Sequence, residues 1–339
     1  MGVNLTPILQ PVLLRLDDLR GRSFAVDGNN VLYQFLALIR RPDGTHLTDR
    51  EGNVTSHLVG LFYRTTRLLS DYAMELAFVF DGRPSGRKRE ELRSRQRVRE
   101  RAKEEYDEAV ARKDYATAWS KAVTSTLLTR EMIGDAQRLL SFLGIPVIQA
   151  PGEGEAQAAF ICAKGDVWAT STRDYDALLY GTPRLLRYLT IAGREFLPSR
   201  RTTRPLEPEL LEAEAVFEDL GITRRQLIDL ALLVGTDYNP GVHGIGPKKA
   251  LAHLRDHDRI EDLPEDIRVQ LPADYDVIRE LFLDPPIEET YEIRSRPVDL
   301  EGVVAFLCDE KDFSRERVTQ VLDRLQERDR RPSLESFES

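Results

Sequence analysis

The sequence predicts an α/β protein in which helices flank a mostly parallel central sheet. Five short stretches are almost continuously apolar, which is typical of strands that are buried on both faces. Stretches with apolar residues at three- and four-residue spacings lie between them, as helices do between parallel strands. The 339 residues are 41% hydrophobic, which is enough for a large core, either as about two domains or as one α/β domain with insertions.

The elements follow one another in the order of a doubly wound sheet. We place the strands at Ser23–Asp27, Leu76–Asp81, Pro146–Ala150, Val167–Thr172 and Leu185–Thr190. We place the helices between and around them at Asn30–Arg40, Val54–Ser70, Thr129–Leu143 and Glu155–Ala163.

The rest of the chain is predicted to be mainly helical. Glu207–Leu233 has the pattern of two helices, and Thr223 with Gln226 predicts a capping box at the start of the second. The later segments are a turn-rich loop that runs into a basic helix in Gly235–Leu254, connecting structure in Pro264–Pro297 and a terminal helical unit in Glu301–Gln326.

One stretch is strongly basic in an acidic chain. Although the net charge is −9, Arg83–Lys103 carries ten basic residues against three acids. We predict a polar, mainly helical insertion that stands off the core, up to about Arg130, as an arch or lid. A solvated helix face is the alternative interpretation of such a charge run.

Composition excludes several classes of protein. No stretch approaches the ~18 consecutive apolar residues of a membrane span, and the N-terminus lacks the pattern of a secretory signal, so we expect a cytoplasmic protein with no membrane partner. Cys162 and Cys308 are too few for a disulfide framework or a zinc site, and we expect both to be small buried residues.

Acidic side chains follow four of the predicted strands, at the edge of an open parallel sheet where ligands bind. They are Asp27, Asp81, Glu153, Glu155, Asp174 and Asp176. Any one of them is as easily a turn or N-cap residue. Six converging carboxylates would repel one another unless cations lie among them, which favours an oxygen-ligand site for Mg²⁺ or Mn²⁺.

Local conformation at these acids is also predictable. If Asp174-Tyr175-Asp176 is extended, its two carboxylates point to the same side about 7 Å apart, which suits two metals spaced ~4 Å. We place Glu153 in a loop and Glu155 in the first turn of a helix, where the helix N-terminus stabilises negative charge.

Several features suit phosphate. Lys88 and Arg95 are seven residues apart, so on a helix they share a face about 10.5 Å apart and are positioned to stabilise charge on a phosphoryl oxygen. The stretch Gly244–Ala250 is a tight turn that opens a helix, which fits a helix-hairpin-helix gripping duplex backbone. Nearby Asp237 adds a seventh carboxylate to the six at the sheet edge.

Tyr33 lies on the helix after Asp27. We expect its ring either to stack on a nucleic-acid base or to pack in the core.

These residues closely resemble the flap endonucleases in their archaeal form, over essentially the whole chain. The matching motifs are Val26-Asp27 with Tyr33-Gln34-Phe35, Thr55-Ser56-His57-Leu58, Val79-Phe80-Asp81-Gly82, Gln149-Ala150-Pro151 with Glu153-Gly154-Glu155-Ala156, Asp174-Tyr175-Asp176, and Gly235-Thr236-Asp237-Tyr238 leading to Gly244-Ile245-Gly246-Pro247-Lys248.

The resemblance implies a PIN-like 5′ nuclease fold and a monomeric, prokaryotic enzyme that cuts branched DNA near the junction of a 5′ flap, with 5′-3′ exonuclease activity, in replication and repair. It implies two-metal-ion hydrolysis with two Mg²⁺ per subunit, for which Mn²⁺ substitutes. By motif position the metal ligands are Asp27, Asp81, Glu153, Glu155, Asp174, Asp176 and Asp237. The implied division of the chain is a nuclease core in 1–82 and 131–221, an arch in 83–130, a helix-hairpin-helix region in 222–258, a C-terminal helical part in 259–327 and a tail in 328–339.

The resemblance also implies roles in DNA binding. Lys88 and Arg95 match gateway-helix cations, Tyr33 a base-stacking tyrosine and Arg40 a further substrate contact. The pocket for a one-nucleotide 3′ flap matches Thr55, Lys311 and Arg317. The turn with Gly244, Gly246, Lys248 and Lys249 matches a site where K⁺ bridges backbone carbonyls to a DNA phosphate.

The tail departs from the family pattern. In the sliding-clamp motif the aliphatic residue Leu334 and the aromatic Phe337 are kept, whereas Arg331 and Glu338 replace the glutamine and the second aromatic residue. We therefore expect weakened clamp binding. Two loop positions also differ from the family pattern. Arg83-Pro84-Ser85 stands where Lys-Pro-Pro is usual, and Gly152 stands where serine is commoner.

Two alternative functions stay open at this point. One is a neighbouring nuclease class, such as a 5′ exonuclease, a junction-resolving enzyme or a metal-dependent ribonuclease. The interval of 72 residues between Asp81 and Glu153 favours a short arch over the long insertion of the excision-repair relatives. The other is a non-catalytic junction binder or clamp adaptor. In such a protein we expect at least one of the acidic residues to be replaced, whereas all seven are present.

Overall fold

A seven-stranded sheet, flanked by helices, forms the centre of the protein, as predicted. The computed structural model describes residues 2–41, 43–83, 89–112, 114, 117, 121, 125–191, 193–197 and 202–329. The strands of the main sheet are β1 (Val12–Leu13), β2 (Ser23–Asp27), β3 (Glu75–Phe80), β4 (Val147–Gln149), β5 (Ala169–Ser171), β6 (Arg184–Arg187) and β9 (Glu209–Glu212), in the order β1-β9-β6-β5-β2-β3-β4. A separate hairpin pairs β7 (Gly193–Leu197) with β8 (Thr202–Leu206).

The five predicted strands pair in parallel, while β9 is antiparallel to both β6 and β1, so the sheet is mixed. The prediction of a mostly parallel sheet is confirmed, but one assignment was wrong: Glu207–Leu233 was assigned to helices alone, whereas its residues Glu209–Glu212 form β9. A run of four residues is too short for periodicity to separate a strand from a helix. Strand β1 and the hairpin were also not predicted.

The helices largely occupy the predicted positions. They are α1 (Gly28–Leu38), α2 (Ser56–Tyr72), α3 (Arg89–Ala111), α4 (Arg130–Phe142), α5 (Gly154–Ala163), α6 (Asp176–Leu179), α7 (Ala213–Leu220), α8 (Arg224–Val234), α9 (Pro247–Asp256), α10 (Glu265–Arg268), α11 (Tyr275–Leu283), α12 (Leu300–Val304) and α13 (Arg315–Asp329), with a π-helical turn at Ala305–Glu310. Helices α10 and α11 lie in the segment predicted to be only connecting structure. In the described part of the chain, no helix combines the length and apolarity needed to cross a bilayer.

Both faces of the sheet are covered, which explains the continuous apolarity of its strands. On β2 and β3 alternate side chains face opposite layers: Phe24 and Phe78 pack in the layer that includes Phe35 of α1, whereas Ala25 and Ala77 pack in the layer formed with α5. Asp27 is paired in register with Val79. The carboxyl ends of β2 and β3 therefore lie side by side, and the residues that follow them emerge at one edge.

The capping box at the start of α8 is confirmed. The hydroxyl of Thr223 accepts a hydrogen bond from the backbone N–H of Gln226 at 3.3 Å, and the side chain of Gln226 accepts one from the N–H of Thr223 at 2.9 Å. Helix α8 ends directly before the loop that carries Asp237, so the cap fixes one end of the element that leads to this residue.

We predict that Thr223→Ala lowers the free energy of unfolding by about 1 kcal/mol, because the N–H of Gln226 loses its acceptor. Urea denaturation followed by circular dichroism measures this change. Thr223→Ser keeps the hydroxyl and serves as the control, with stability close to that of the original chain. An alanine variant as stable as the serine variant would contradict the capping assignment.

Candidate active site

Two carboxylates, buried Asp27 and half-buried Glu155, share one hydroxyl at the carboxyl edge of the sheet. Asp27 ends β2, is 5% exposed and caps α1, where its Oδ1 accepts from the N–H of Asn30 at 3.0 Å. Thr172, directly after β5, lies with its Oγ1 3.2 Å from Asp27 Oδ2 and 2.9 Å from Glu155 Oε1. A single hydroxyl proton serves only one of these oxygens at a time. The carboxyl that lacks this proton has room for a proton of its own or for a cation.

The start of α5 brings two further acids to this edge. Asp81 follows β3, and its Oδ1 accepts from the N–H of Gly154, the first residue of α5, at 2.7 Å. Glu153 is the N-cap of α5 and Glu155 lies in its first turn, which confirms their predicted placement. The partial positive charge of a helix N-terminus stabilises carboxylates at these positions.

The loop between β5 and α6 supplies Asp174 and Asp176, in a conformation that was not predicted. Tyr175 has φ −80° and ψ −9°, and Asp176 is the first residue of α6, so Asp174-Tyr175-Asp176 is a turn that opens a helix rather than an extended segment. Pairing of β5 has already ended at Ser171. Asp174 accepts from Asn30 Nδ2 at 3.1 Å, and Asp176 accepts from the N–H of Val3 at 2.8 Å.

The acids act on one another electrostatically. Burial, followed by the charges of Asp81 and Asp174, raises the pKa of Asp27 to about 8. Burial, followed by Asp174, Asp176 and Asp27, raises the pKa of Glu155 well above its usual range. Five carboxylates from four separate segments therefore meet in one place, and at neutral pH Asp27 holds a proton unless another cation takes its place.

The donor set fits a divalent metal that prefers oxygen. All of the converging groups are carboxylates, which suit Mg²⁺ or Mn²⁺ better than zinc. Among the described residues, no three Asp, Glu, His or Cys side chains are grouped closely enough to enclose one ion by themselves. Because Mg²⁺ keeps several waters and takes only one or two carboxylates, neighbouring acids without a closed cage are compatible with its binding.

Asp237 lies on a loop that packs against the end of α6. It is buried, and the hydroxyl of its neighbour Tyr238 is 3.4 Å from that of Tyr180, which follows α6. Burial, then Tyr238 and Glu153, raise the pKa of Tyr180. The loop between α8 and α9 therefore contacts the end of α6, the helix that begins at Asp176.

Sequence reasoning missed several residues that organise the site. Asn30 contacts both Asp27 and Asp174, and Thr172 joins Asp27 to Glu155. The N-cap pattern of Asp27 identifies Asn30 only as a backbone donor. A Cβ on Gly2 would lie 2.4 Å from Asp176 Oδ1, so close approach needs glycine here. Nothing in the first residues of the sequence indicates this contact.

The predicted gateway residues lie partly within the described structure. Lys88 falls outside the described residues, and Arg95 lies on α3 with a side chain that is not among those described. Tyr33 is half-buried, and its hydroxyl accepts from Arg99 Nη2 of α3 at 3.0 Å, with the guanidinium 5.5 Å from the ring centre. Tyr33 is therefore a contact between α1 and the basic helix.

Arg40 is engaged within the protein. Its guanidinium donates to the carbonyl of Gly44 at 2.8 Å and to the hydroxyl of Thr126 at 2.5 Å. Burial lowers the pKa of Arg40 to about 10. The side chain therefore links the loop after α1 to the segment before α4.

The residues predicted for a 3′-flap pocket lie around α2. Thr55 is buried directly before this helix, Lys311 forms an ion pair with Asp135 of α4, and Arg317 is exposed on α13. Asp312, whose charge disfavours phosphate, accepts a hydrogen bond from the backbone N–H of Arg50 at 2.7 Å and forms an ion pair with the Nε of Arg50 at 2.9 Å. Arg50 therefore offsets that charge.

The turn before α9 has the predicted form. Gly244 has φ +77°, which favours glycine, and Gly246 is the N-cap of α9 with Pro247 in its first turn. Lys248 and Lys249 are exposed, and Lys249 Nζ donates to the carbonyl of Gly244 at 2.9 Å. The clamp-motif residues Leu334 and Phe337 lie outside the described residues.

Comparison with known proteins gives matches along almost the entire chain. The XPG N-terminal domain family matches residues 1–102, and the XPG I-region family matches residues 144–237. Flap endonuclease 1 of Thermococcus onnurineus is 46% identical over 326 residues, covering 96% of this chain and 94% of that protein. Flap endonuclease 1 of Pyrococcus horikoshii is 45% identical over 342 residues, covering 99% and 98%.

Solved structures agree with these relatives. Flap endonuclease-1 from Methanococcus jannaschii superposes with a TM-score of 0.75 at 37% identity, covering 96% of this chain and 98% of that one. The catalytic core of Rad2 in complex with a DNA substrate gives a TM-score of 0.69 at 24% identity, covering 95% and 97%. This second likeness concerns the fold alone.

The raised pKa of Asp27 predicts that the metal-free protein loses stability as the pH rises. The unfolded chain releases this proton near the usual pKa of 3.8 and the folded chain only near 8, so between these values rising pH favours the unfolded state. We expect the free energy of unfolding in EDTA to fall by roughly 2 kcal/mol between pH 6 and pH 8. Urea titrations at the two pH values measure the difference.

Asp27→Asn is the control for this effect. It keeps the acceptor for the N–H of Asn30 but has no proton to lose, so its stability should depend less on pH in this window. Added Mg²⁺ should stabilise the original chain more at pH 8 than at pH 6, because fewer protons compete for the carboxylates. Equal pH slopes for the two proteins would contradict the assigned pKa.

Proposed function

The chain belongs to the flap endonuclease 1 family, and from this premise we propose that the carboxylate edge of the sheet is the catalytic centre of a metal-dependent 5′-flap endonuclease. Such an enzyme hydrolyses a DNA phosphodiester near a junction of single and double strand, in replication and repair. The observation that carries the proposal is the convergence of Asp27, Asp81, Glu155, Asp174 and Asp176, with their mutual effects on pKa.

The proposed metal ions are Mg²⁺, two per molecule, with Mn²⁺ as a substitute. Their ligands, directly or through water, are Asp27, Asp81, Glu153, Glu155, Asp174, Asp176 and Asp237. Bound there, two divalent cations would neutralise the charge that develops on the scissile phosphate. The protein's part is to hold these carboxylates together without their protons.

Residues around the acids have separate tasks in this proposal. Asn30 and Thr172 orient Asp27, Glu155 and Asp174 through the hydrogen bonds described above. Lys88 and Arg95 stabilise negative charge on the phosphate as it reacts. Tyr33 stacks on a base once Arg99 moves off its ring.

Binding of branched DNA is proposed to use three further places. The turn with Gly244, Gly246, Lys248 and Lys249 holds duplex backbone, with K⁺ at its carbonyls. Thr55, Lys311 and Arg317 accept a one-nucleotide 3′ flap, for which Lys311 exchanges Asp135 for phosphate. Arg40 contacts the substrate close to α1.

The proposals for partners other than DNA are based on the sequence alone. We propose that a monomer binds a sliding clamp through Leu334 and Phe337, more weakly than a complete motif does, since Arg331 and Glu338 replace two of its anchors. The proposed location is the prokaryotic cytoplasm.

The proposal predicts that Asp176→Asn lowers cleavage by at least about a thousandfold, while the affinity for junction DNA changes little. A labelled double-flap substrate in Mg²⁺ shows the cut and its position, and binding is measured in EDTA. Asp276→Asn, at an exposed acid on α11, is the matched control and should cleave normally. Failure of the original chain to cut flaps with Mg²⁺ or Mn²⁺ would overturn the proposed function.

A further inference from the structure

A buried arginine contacts the turn that carries Asp174 and Asp176. Arg187 is the last residue of β6, which is the parallel neighbour of β5, and its side chain is 8% exposed. Because β5 and β6 end at the same edge, the side chain of Arg187 meets the backbone that leaves β5.

Four of the five N–H groups of the guanidinium have partners. Nε donates to the carbonyl of Arg173 at 2.8 Å, Nη1 donates to the hydroxyl of Tyr175 and to Glu209 Oε2, both at 2.6 Å, and Nη2 donates to the hydroxyl of Tyr188 at 2.8 Å. The group also lies 4.1 Å from the ring centre of Tyr175 and 4.7 Å from that of Tyr188. Arg187 thus contacts the turn on both sides of Asp174, at the backbone carbonyl of Arg173 and at the side chain of Tyr175.

Two further observations indicate that the surroundings of Arg187 hold it in one conformation. Tyr188 has φ +63°, a left-handed conformation that costs a bulky side chain energy and persists only where its surroundings hold it. The hydroxyl of Tyr175 also lies 3.2 Å from that of Thr6. The N-terminal segment, whose Val3 donates to Asp176, is therefore fixed by the same network.

We propose that Arg187 is a positioning residue for the metal ligands Asp174 and Asp176. Its charge is matched by Glu209, its register partner on β9, so it acts through hydrogen bonds and shape rather than as a free cation for phosphate. Lysine has no planar fork and cannot make the same set of contacts. The inference rests on the proposed function, since it concerns ligands of the proposed metal ions.

Replacing a residue that hydrogen-bonds to metal ligands or to their backbone typically changes metal affinity or activity by about 10- to 100-fold. For Arg187→Lys we expect divalent-ion affinity to fall within this range, with unchanged affinity for junction DNA in EDTA. Tyr175→Phe keeps the ring and removes the hydroxyl that bridges Arg187 and Thr6, and we expect a smaller loss in the same direction.

The experiment uses the full-length protein. Mn²⁺ affinity is measured by electron paramagnetic resonance without DNA, and the Mg²⁺ concentration for half-maximal flap cleavage is measured at saturating substrate. Arg184→Lys is the matched control, because Arg184 lies on the same strand, pairs with Glu212 of β9 at 3.3 Å and is more exposed, at the opposite end of β6. Thermal melting shows that each variant is folded at the assay temperature.

A weaker Mn²⁺ affinity and a higher Mg²⁺ requirement for Arg187→Lys and Tyr175→Phe, but not for Arg184→Lys, would support the proposal. Variants that melt at lower temperature yet bind Mn²⁺ normally would overturn it and leave Arg187 with a purely structural role. If the original chain shows no dependence on a divalent ion, the proposed function fails, which is a different outcome from the failure of this inference.

Discussion

The repulsion among carboxylates at one edge of the sheet is the constraint on which the rest of the molecule depends. Asp27 is buried and Glu155 is half-buried. The two share the hydroxyl of Thr172 and lie within electrostatic reach of Asp81, Asp174 and Asp176. Burying several like charges without compensation is too costly for a marginally stable fold. Protons or divalent cations must therefore occupy this place, and the family to which the chain belongs agrees with cations.

The sheet and its coverings explain how these acids are brought together. Strands buried on both faces fix the register of β2, β3 and β5, so Asp27, Asp81 and Thr172 leave the sheet at adjacent points. Helix α5 adds Glu153 and Glu155 at its N-terminus, where its own dipole stabilises them. Hydrogen bonds from Asn30 and Val3 then hold Asp174 and Asp176.

Much of this could be predicted from the sequence, because strand patterns, N-caps and helix starts are local. The five parallel strands, the capping box at Thr223 and the placement of Glu155 depend on residues close together in the chain and were confirmed. The strand β9, the turn at Tyr175 and the contacts of Arg187 depend on partners distant in sequence and could not be predicted. The resemblance to a family identified acids by position, but it did not indicate the side chains behind them, such as Thr172.

The most direct test of a single carboxylate site is the number of protons that a divalent ion displaces. Titration calorimetry of Mn²⁺ or Mg²⁺ binding at pH 7, in buffers of different ionisation enthalpy, counts these protons. Our account predicts the release of about one proton or more per molecule, since the pKa of Asp27 is about 8 before the metal binds. Binding without proton release, or no binding at all, would contradict it.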